Sequence, residues 1–166
     1  DGVMRSEFEE RFHLITETIS DVFWISERAT KRIIYVSPAY ERIWGRPVAD
    51  LYANPHSYYE TLHPDDRERT TISDDTRPFE SEYRIVRPDG SIRWIHDRGY
   101  PVTRNGVVEY HVGIATDITE AKRVTAEHAE MAERLRLVSS ATNDGLWEWN
   151  LETGTVWWSE QSYALY

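Results

Sequence analysis

Phe79-Glu80-Ser81-Glu82-Tyr83-Arg84-Ile85-Val86-Arg87 runs into Pro88-Asp89-Gly90 and then into Ser91-Ile92-Arg93-Trp94-Ile95-His96-Asp97-Arg98-Gly99-Tyr100-Pro101-Val102. Past Arg104-Asn105-Gly106 follows Val107-Val108-Glu109-Tyr110-His111-Val112-Gly113-Ile114-Ala115-Thr116. These are three long β-type runs separated by two tight-turn signals. Asp-Gly and Asn-Gly tolerate the positive φ that a tight hairpin requires. The stretch therefore reads as a three-strand antiparallel meander.

Upstream, Val22 to Ser26 and Ile33 to Ser37 are two shorter strands around a polar turn. Added to the meander they make a five-stranded antiparallel sheet in an α+β fold, with short helices on one face. Those helices fall between the strands. One starts at Pro38, with Ser37 as its N-cap, and stops at Gly45. Prolines 47, 55, 64 and 78 punctuate short helical turns from Arg46 to Arg77, and His63-Pro64-Asp65-Asp66 reads as a helix start. Thr70 to Pro78 is read as a polar loop. A helix over Glu7 to Ile19 precedes the sheet, with Phe8, Phe12, Ile15 and Ile19 at helical period.

A second signal sets the domain organisation. Phe12-His13-Leu14-Ile15-Thr16 through Asp21-Val22-Phe23-Trp24-Ile25 matches Leu135-Arg136-Leu137-Val138-Ser139 through Asp144-Gly145-Leu146-Trp147-Glu148, at an offset of 123 residues. After a one-residue gap, Ile34-Tyr35-Val36-Ser37 matches Val156-Trp157-Trp158-Ser159. An internal repeat of this kind outweighs any local assignment. The division expected is a lead-in over 1–7, one complete module over 8–119, a connecting helix over 120–142 and the start of a second module over 143–166. In the connector, Ala121, Val124, His128, Met131, Leu135, Val138 and Thr142 alternate three and four apart, a short heptad seam in which His128 is a tolerated polar residue. The chain opens on Asp-Gly and stops mid-pattern, so it is expected to be an excised piece.

The chain has 166 residues, a formal net charge of −10 and no cysteine. The acidity argues against a nucleic-acid backbone, which needs a basic stripe, and against direct contact with an anionic membrane. It fits a cytoplasmic surface. Without cysteine there is no disulfide, no thiolate metal site, no cysteine nucleophile and no flavin–cysteinyl photochemistry. No run reaches the length of a membrane span.

The motifs in order are Ile34-Tyr35-Val36-Ser37-Pro38-Ala39-Tyr40, Trp44-Gly45-Arg46, His63-Pro64-Asp65-Asp66, Glu82-Tyr83-Arg84-Ile85, Asp89-Gly90-Ser91-Ile92-Arg93-Trp94-Ile95 and Gly113-Ile114-Ala115-Thr116-Asp117-Ile118-Thr119. Together they resemble a PAS domain of the sensory-box type with its C-terminal PAC segment. Gly145 to Ser159 resembles the opening of another. The resemblance implies a helical face enclosing a small pocket and a signalling rather than catalytic role. It further implies tandem placement upstream of a histidine kinase or a cyclic-dinucleotide enzyme, and homodimerisation through flanking helices. The Asp66–Phe79 segment is short for such a family, so a large cofactor is not expected. Haem and flavin are set aside in favour of no cofactor or an unknown small ligand, although His56 and His63 stand near where an axial haem ligand would.

The six histidines show no metal-binding spacing, so no metal site is assigned, and no catalytic residue is assigned. Asp65-Asp66, Asp74-Asp75 and Glu80/Glu82 are adjacent acids explained by capping and solvation, since a general acid/base pair must converge on one pocket. The aromatic residues either wall a cavity or fill a core, and close packing favours the filled core. The candidate pocket residues are Phe23, Tyr35, Tyr40, Trp44, Tyr83, Ile85, Tyr110, Val112 and Ile114, the strand members chosen by placing the larger apolar phase inward. Asp117, Ile118 and Thr119 form the candidate signal junction, with Thr119 capping the outgoing helix. The alternative function is a ligand-free dimerisation spacer. An enzyme is the reading that the residue inventory opposes.

Overall fold

The computed structural model describes residues 2–70, 75–142 and 147–158. Asp74, the 143–146 start of the expected second module and Ser159 onward lie outside the described residues. The chain divides into two units, Asp1–Glu120 and Ala121–Tyr166.

In the first unit, helix α1 (Gly2–Thr18) leads into β1 (Val22–Glu27) and β2 (Ile33–Val36). Three short helices follow, α2 (Ala39–Trp44), α3 (Val48–Ala53) and α4 (Ser57–Thr61), then a 3-10 turn at Pro64–Asp66. The meander is β3 (Phe79–Val86), β4 (Ile92–Arg104) and β5 (Val107–Asp117). The five strands pair antiparallel in the order β2-β1-β5-β4-β3, so the two early strands add to the meander through β1 on β5. α1 begins at Gly2, five residues before the start read from apolar spacing, and Met4 lies one helical turn before Phe8.

Both hairpin turns have the backbone that their glycines allow. Asn105 and Gly106 take φ of 51° and 78°, the paired positive angles of a two-residue hairpin. At the other turn Gly90 takes φ 81°, and Asp89 Oδ1 accepts from the Ser91 backbone N–H at 2.9 Å.

Ser37 does not cap α2. Its hydroxyl oxygen accepts the Phe23 backbone N–H at 2.9 Å and donates toward the Asp21 carbonyl at 3.4 Å, tying the end of β2 to β1. The nearby strand supplies a donor that is already in line, so the side chain turns to the sheet and not to the helix. At the other end Gly45 closes α2 in the left-handed conformation, as its sequence position suggested.

The core lies between the inner face of the sheet and α2–α4. It contains Val22, Val36, Tyr40, Ile43, Trp44, Leu51, Leu62, Tyr83, Ile85 and Ile95, all at most 8% exposed. The outer backbone of β2 is met by Tyr52, whose hydroxyl oxygen accepts the Val36 N–H at 3.0 Å. On the far side, Leu62 bridges Ile85 of β3 and the His63 N–H donates to the Arg84 carbonyl at 2.9 Å.

Asp66 is buried, contrary to the solvated capping role read for the Asp65-Asp66 pair. It is 3% exposed and accepts three bonds from Arg84, from the backbone N–H, Nε and Nη2, each at 2.9 Å. The Arg84 guanidinium holds the Asp66 carboxyl down at about 2, against the opposing effect of burial. Arg84 also lies over the Trp94 ring, 5.4 Å from its centroid. The Asp74-Asp75 reading changes too, since Asp75 is clasped by Arg28 at 2.9 Å and Lys31 at 3.2 Å. Those two cations hold its carboxyl far below the usual range.

The second unit holds most of α5 (Thr119–Thr142) and a hairpin of β6 (Trp147–Trp149) with β7 (Val156–Trp158). Arg134 and Glu130 pair at 2.5 Å and Arg136 and Glu133 at 2.8 Å, and Arg123 pairs with Glu127. Such i,i+3 and i,i+4 pairs support an exposed helix. Met131, Leu135 and Val138 of the seam are more than half exposed. Among the described residues no helix is long and apolar enough to cross a membrane.

Candidate functional site

A cavity of about 570 Å³ separates the inner face of the sheet from the short helices. The aromatic residues therefore wall a space and do not close it, which corrects the filled-core expectation. Two glycines create the room. Gly99 of β4 and Gly113 of β5 are direct cross-strand partners, and both belong to the inward phase. A Cβ on Gly99 would stand 2.0 Å from Phe79 Cε1, and one on Gly113 would stand 2.2 Å from Trp24 Cζ2. Phe79 and Trp24 thus lie flat over the paired glycines from opposite sides and stack with centroids 6.1 Å apart. They form the floor. Tyr40 and Trp44 stack at 5.0 Å on the helical side, where Tyr58 and Tyr59 of α4 complete the lining.

Asp97 faces this aromatic space. Asp97 stands two residues beyond Ile95 and two before Gly99, on the same inward phase of β4. Its Oδ1 accepts the Trp24 indole N–H at 3.0 Å and its Oδ2 accepts the Tyr83 hydroxyl at 3.0 Å. Burial pushes the Asp97 carboxyl up to about 6, although the two donors pull the other way. Burial also raises Tyr83 well above its usual value and Tyr40 to about 12, so both phenols remain protonated donors at neutral pH. At the rim, His111 Nε2 donates to the Asp75 carbonyl at 2.6 Å. That bond and the Arg28 and Lys31 pairs fasten Asp75 to the β1–β2 turn and to β5.

A family model described as PAS fold matches residues 33–115, half of the chain. The chain belongs to the PAS-fold family. Solved relatives agree. A domain of the putative light and redox sensing histidine kinase from Haloarcula marismortui is 32% identical with a TM-score of 0.54, over 66% of this chain and 99% of that one. A sensory box histidine kinase/response regulator from Burkholderia thailandensis is 28% identical with a TM-score of 0.57, over 76% of this chain and 98% of that one. Among curated proteins, the probable diguanylate cyclase DgcE of Escherichia coli is 26% identical over 57% of this chain. The match spans only 9% of DgcE, and under a fifth of the other curated relative that matches. This is a PAS signalling module of the kind carried by histidine kinases and diguanylate cyclases.

Of the residues chosen from sequence, the PAS cavity is lined by Tyr40, Trp44 and Tyr83. Ile85 is fully buried beside it, under Leu62, outside the lining. Phe23, Tyr35, Tyr110, Val112 and Ile114 occupy the opposite face. Phe23 pairs with Ile114 across the strands, and Tyr35 meets Phe12 of α1 at 5.2 Å. The inversion has a simple cause. The inward phase of β5 is His111, Gly113 and Ala115, small where Trp24 must lie, so the larger apolar phase turns outward. Strand alternation also placed Phe79 inward, and it lines the cavity, whereas sequence reasoning missed Trp24 and Asp97. An acid sharing a strand phase with Ile95 and Gly99 was the available signal for the last. His56 lines the cavity, whereas His63 accepts the Asp65 N–H through Nδ1 at 3.3 Å in its turn. Among the described residues no cluster of three His, Cys, Asp or Glu side chains could hold a metal.

At the end of β5 the junction residues bind one another and β4. Asp117 Oδ1 accepts the Thr119 N–H at 2.9 Å and its hydroxyl at 2.5 Å. The Thr119 hydroxyl oxygen accepts the Trp94 N–H at 2.8 Å, and the Ile118 N–H donates to the Trp94 carbonyl at 2.9 Å. Arg93 stands 3.5 Å from Asp117. Asp117 thus takes the capping acceptor's part, while the Thr119 hydroxyl fixes the helix start to β4. Asp117→Ala is expected to lower stability by about 1 kcal/mol. Amide exchange in the first turn of α5 should rise with it, and unchanged protection there would refute the assignment.

Proposed function

We propose that this PAS module senses a small ligand in the aromatic cavity and transmits its occupancy through α5 within a multi-domain cytoplasmic signalling protein. The observation that carries the reading is that β4 serves both places. Asp97 faces the cavity, and three residues earlier Trp94 binds Ile118 and Thr119 at the start of α5. A ligand that shifts Asp97 or its partners displaces the same strand that fixes the helix. Occupancy biases a two-state element only by its differential affinity for the two states, and a strand–helix joint of this kind has few contacts to exchange.

The parent is proposed to be a histidine kinase or a diguanylate cyclase, by analogy with the relatives, and the module itself to have no catalytic role. The half-exposed Met131, Leu135 and Val138 along α5, with exposed Phe8 and Ile15 on α1, suit homodimerisation through the flanking helices. Native mass spectrometry of the purified chain, with an absorbance spectrum of the same sample, tests the sensor reading. The expected result is an added mass lost on denaturation, or a rise in melting temperature of several degrees with a cavity-sized compound. An empty protein that no compound stabilises would make it a dimerisation spacer instead.

A further inference from the structure

We infer that the cavity selects a small organic cation, an aromatic or alkyl amine whose ammonium group binds Asp97 between the rings of Trp24, Tyr58 and Tyr83. The inference rests on the sensor reading and names its ligand class. Asp97 is the acid whose side-chain donors are both neutral, an indole and a phenol. A carboxylate offers about four acceptor positions, and these two donors leave room for more. The other charges in the lining are Lys31 and Asp75, which pair with each other at 3.2 Å, with Arg28 also on Asp75. Asp97 therefore supplies the unbalanced charge of the interior. Its surroundings suit a cation on every side. The rings of Trp24, Phe79, Tyr40, Trp44, Tyr58 and Tyr59 line the same space, and an ammonium ion placed over an aromatic face is attracted to it. A neutral apolar ligand would instead strip water from Asp97 and return nothing for it. An anion would meet it with like charge. The volume of about 570 Å³ falls among ordinary small-molecule sites.

The test uses the 166-residue chain and three probes of one shape: 3-phenylpropylamine, 3-phenylpropanol and 3-phenylpropionate. Titration calorimetry at pH 8 should give the amine at least tenfold tighter than the alcohol, with the acid weakest. In Asp97→Asn the amine's advantage should vanish while the alcohol still binds. Because that variant can disturb Trp24 and Tyr83, the pH dependence of the unmodified protein provides a second readout. The amine's advantage should shrink as pH falls below about 6, the region to which burial moves Asp97. The other groups that face or border it are Tyr58 and Tyr83, which stay protonated throughout, His96 and Arg98 beside it on β4, and His56, His111, Lys31 and Asp75 in the lining. The Asp97→Asn profile must be flat for the assignment to Asp97 to hold. Equal affinity for amine and alcohol overturns the cation inference and leaves the sensor reading standing. Failure of all three probes to bind overturns the cation inference, whereas the sensor reading falls only if the native mass spectrum is also empty and no compound stabilises the protein.

Discussion

Asp66→Ala should destabilise the fold by about 3 kcal/mol, the low end of what breaking a buried ion pair costs. The low end applies because the Arg84 side chain is 26% exposed and can still reach water, whereas the Asp66 side chain is 4% exposed. The loss exceeds that of an ordinary surface pair, since one carboxylate receives the backbone N–H, Nε and Nη2 of Arg84 and a further bond from Arg69 at 3.2 Å. Its own carbonyl accepts the Thr70 N–H at 3.0 Å, so the turn after α4 is fixed to β3 largely through this residue. Chemical denaturation of Asp66→Ala, Arg84→Ala and the double variant measures the coupling. Fully additive losses would show that the two side chains act separately. The same pair predicts acid sensitivity. The folded Asp66 value is depressed from 3.8 to about 2, so its contribution is complete above about pH 5 and disappears as pH falls through 4 toward 2. Asp66→Ala should lack that component of the acid transition.

Gly113→Ala is expected to cost about 3 kcal/mol and to abolish ligand binding in the cavity. The added methyl would stand 2.2 Å from Trp24 Cζ2 and 2.7 Å from the Arg98 carbonyl oxygen, one a rigid ring and the other backbone. Overpacking of this kind costs about 1–3 kcal/mol, and two unyielding neighbours place it at the top of that range. Moving Trp24 breaks its bond to Asp97 and its stack on Phe79, so binding is lost along with stability. Adding Trp24→Leu should recover part of the stability but none of the amine preference. A Gly113→Ala protein that melts like the parent and binds equally well would refute the account of how the floor is made.

The legible parts of the fold were local. Asp89-Gly90 and Asn105-Gly106 announced their turns because positive φ is a property of those few residues. The meander followed from runs of β-type residues flanking those turns, and the two early strands from similar runs around a polar turn. The site was harder to read, because its defining contacts join residues far apart in sequence. Trp24 and Asp97 are 73 positions apart, and nothing near either one reveals the other. The facing of β5 was misread for the same reason, since only the register of β1 on β5 brings Trp24 onto Gly113. Ser37 looked like a helix cap locally and became a strand tie once Phe23 lay beside it. A periodic pattern identifies two faces of a strand but does not say which is inward when a neighbour's ring replaces the missing bulk.

The backbone bonds at Val36 and Arg84 also close the margins of the sheet. A sheet can be lengthened sideways by any chain that finds unpaired N–H and C=O groups along its margin. Here the Tyr52 hydroxyl occupies the margin at β2, itself only four residues long. The Leu62–His63 segment covers part of the margin at β3, and the remainder of that strand carries Glu80 and Glu82. Lateral stacking into open-ended ribbons is therefore discouraged on both flanks, and the sheet stays a finite, five-stranded body whose margins are already spoken for.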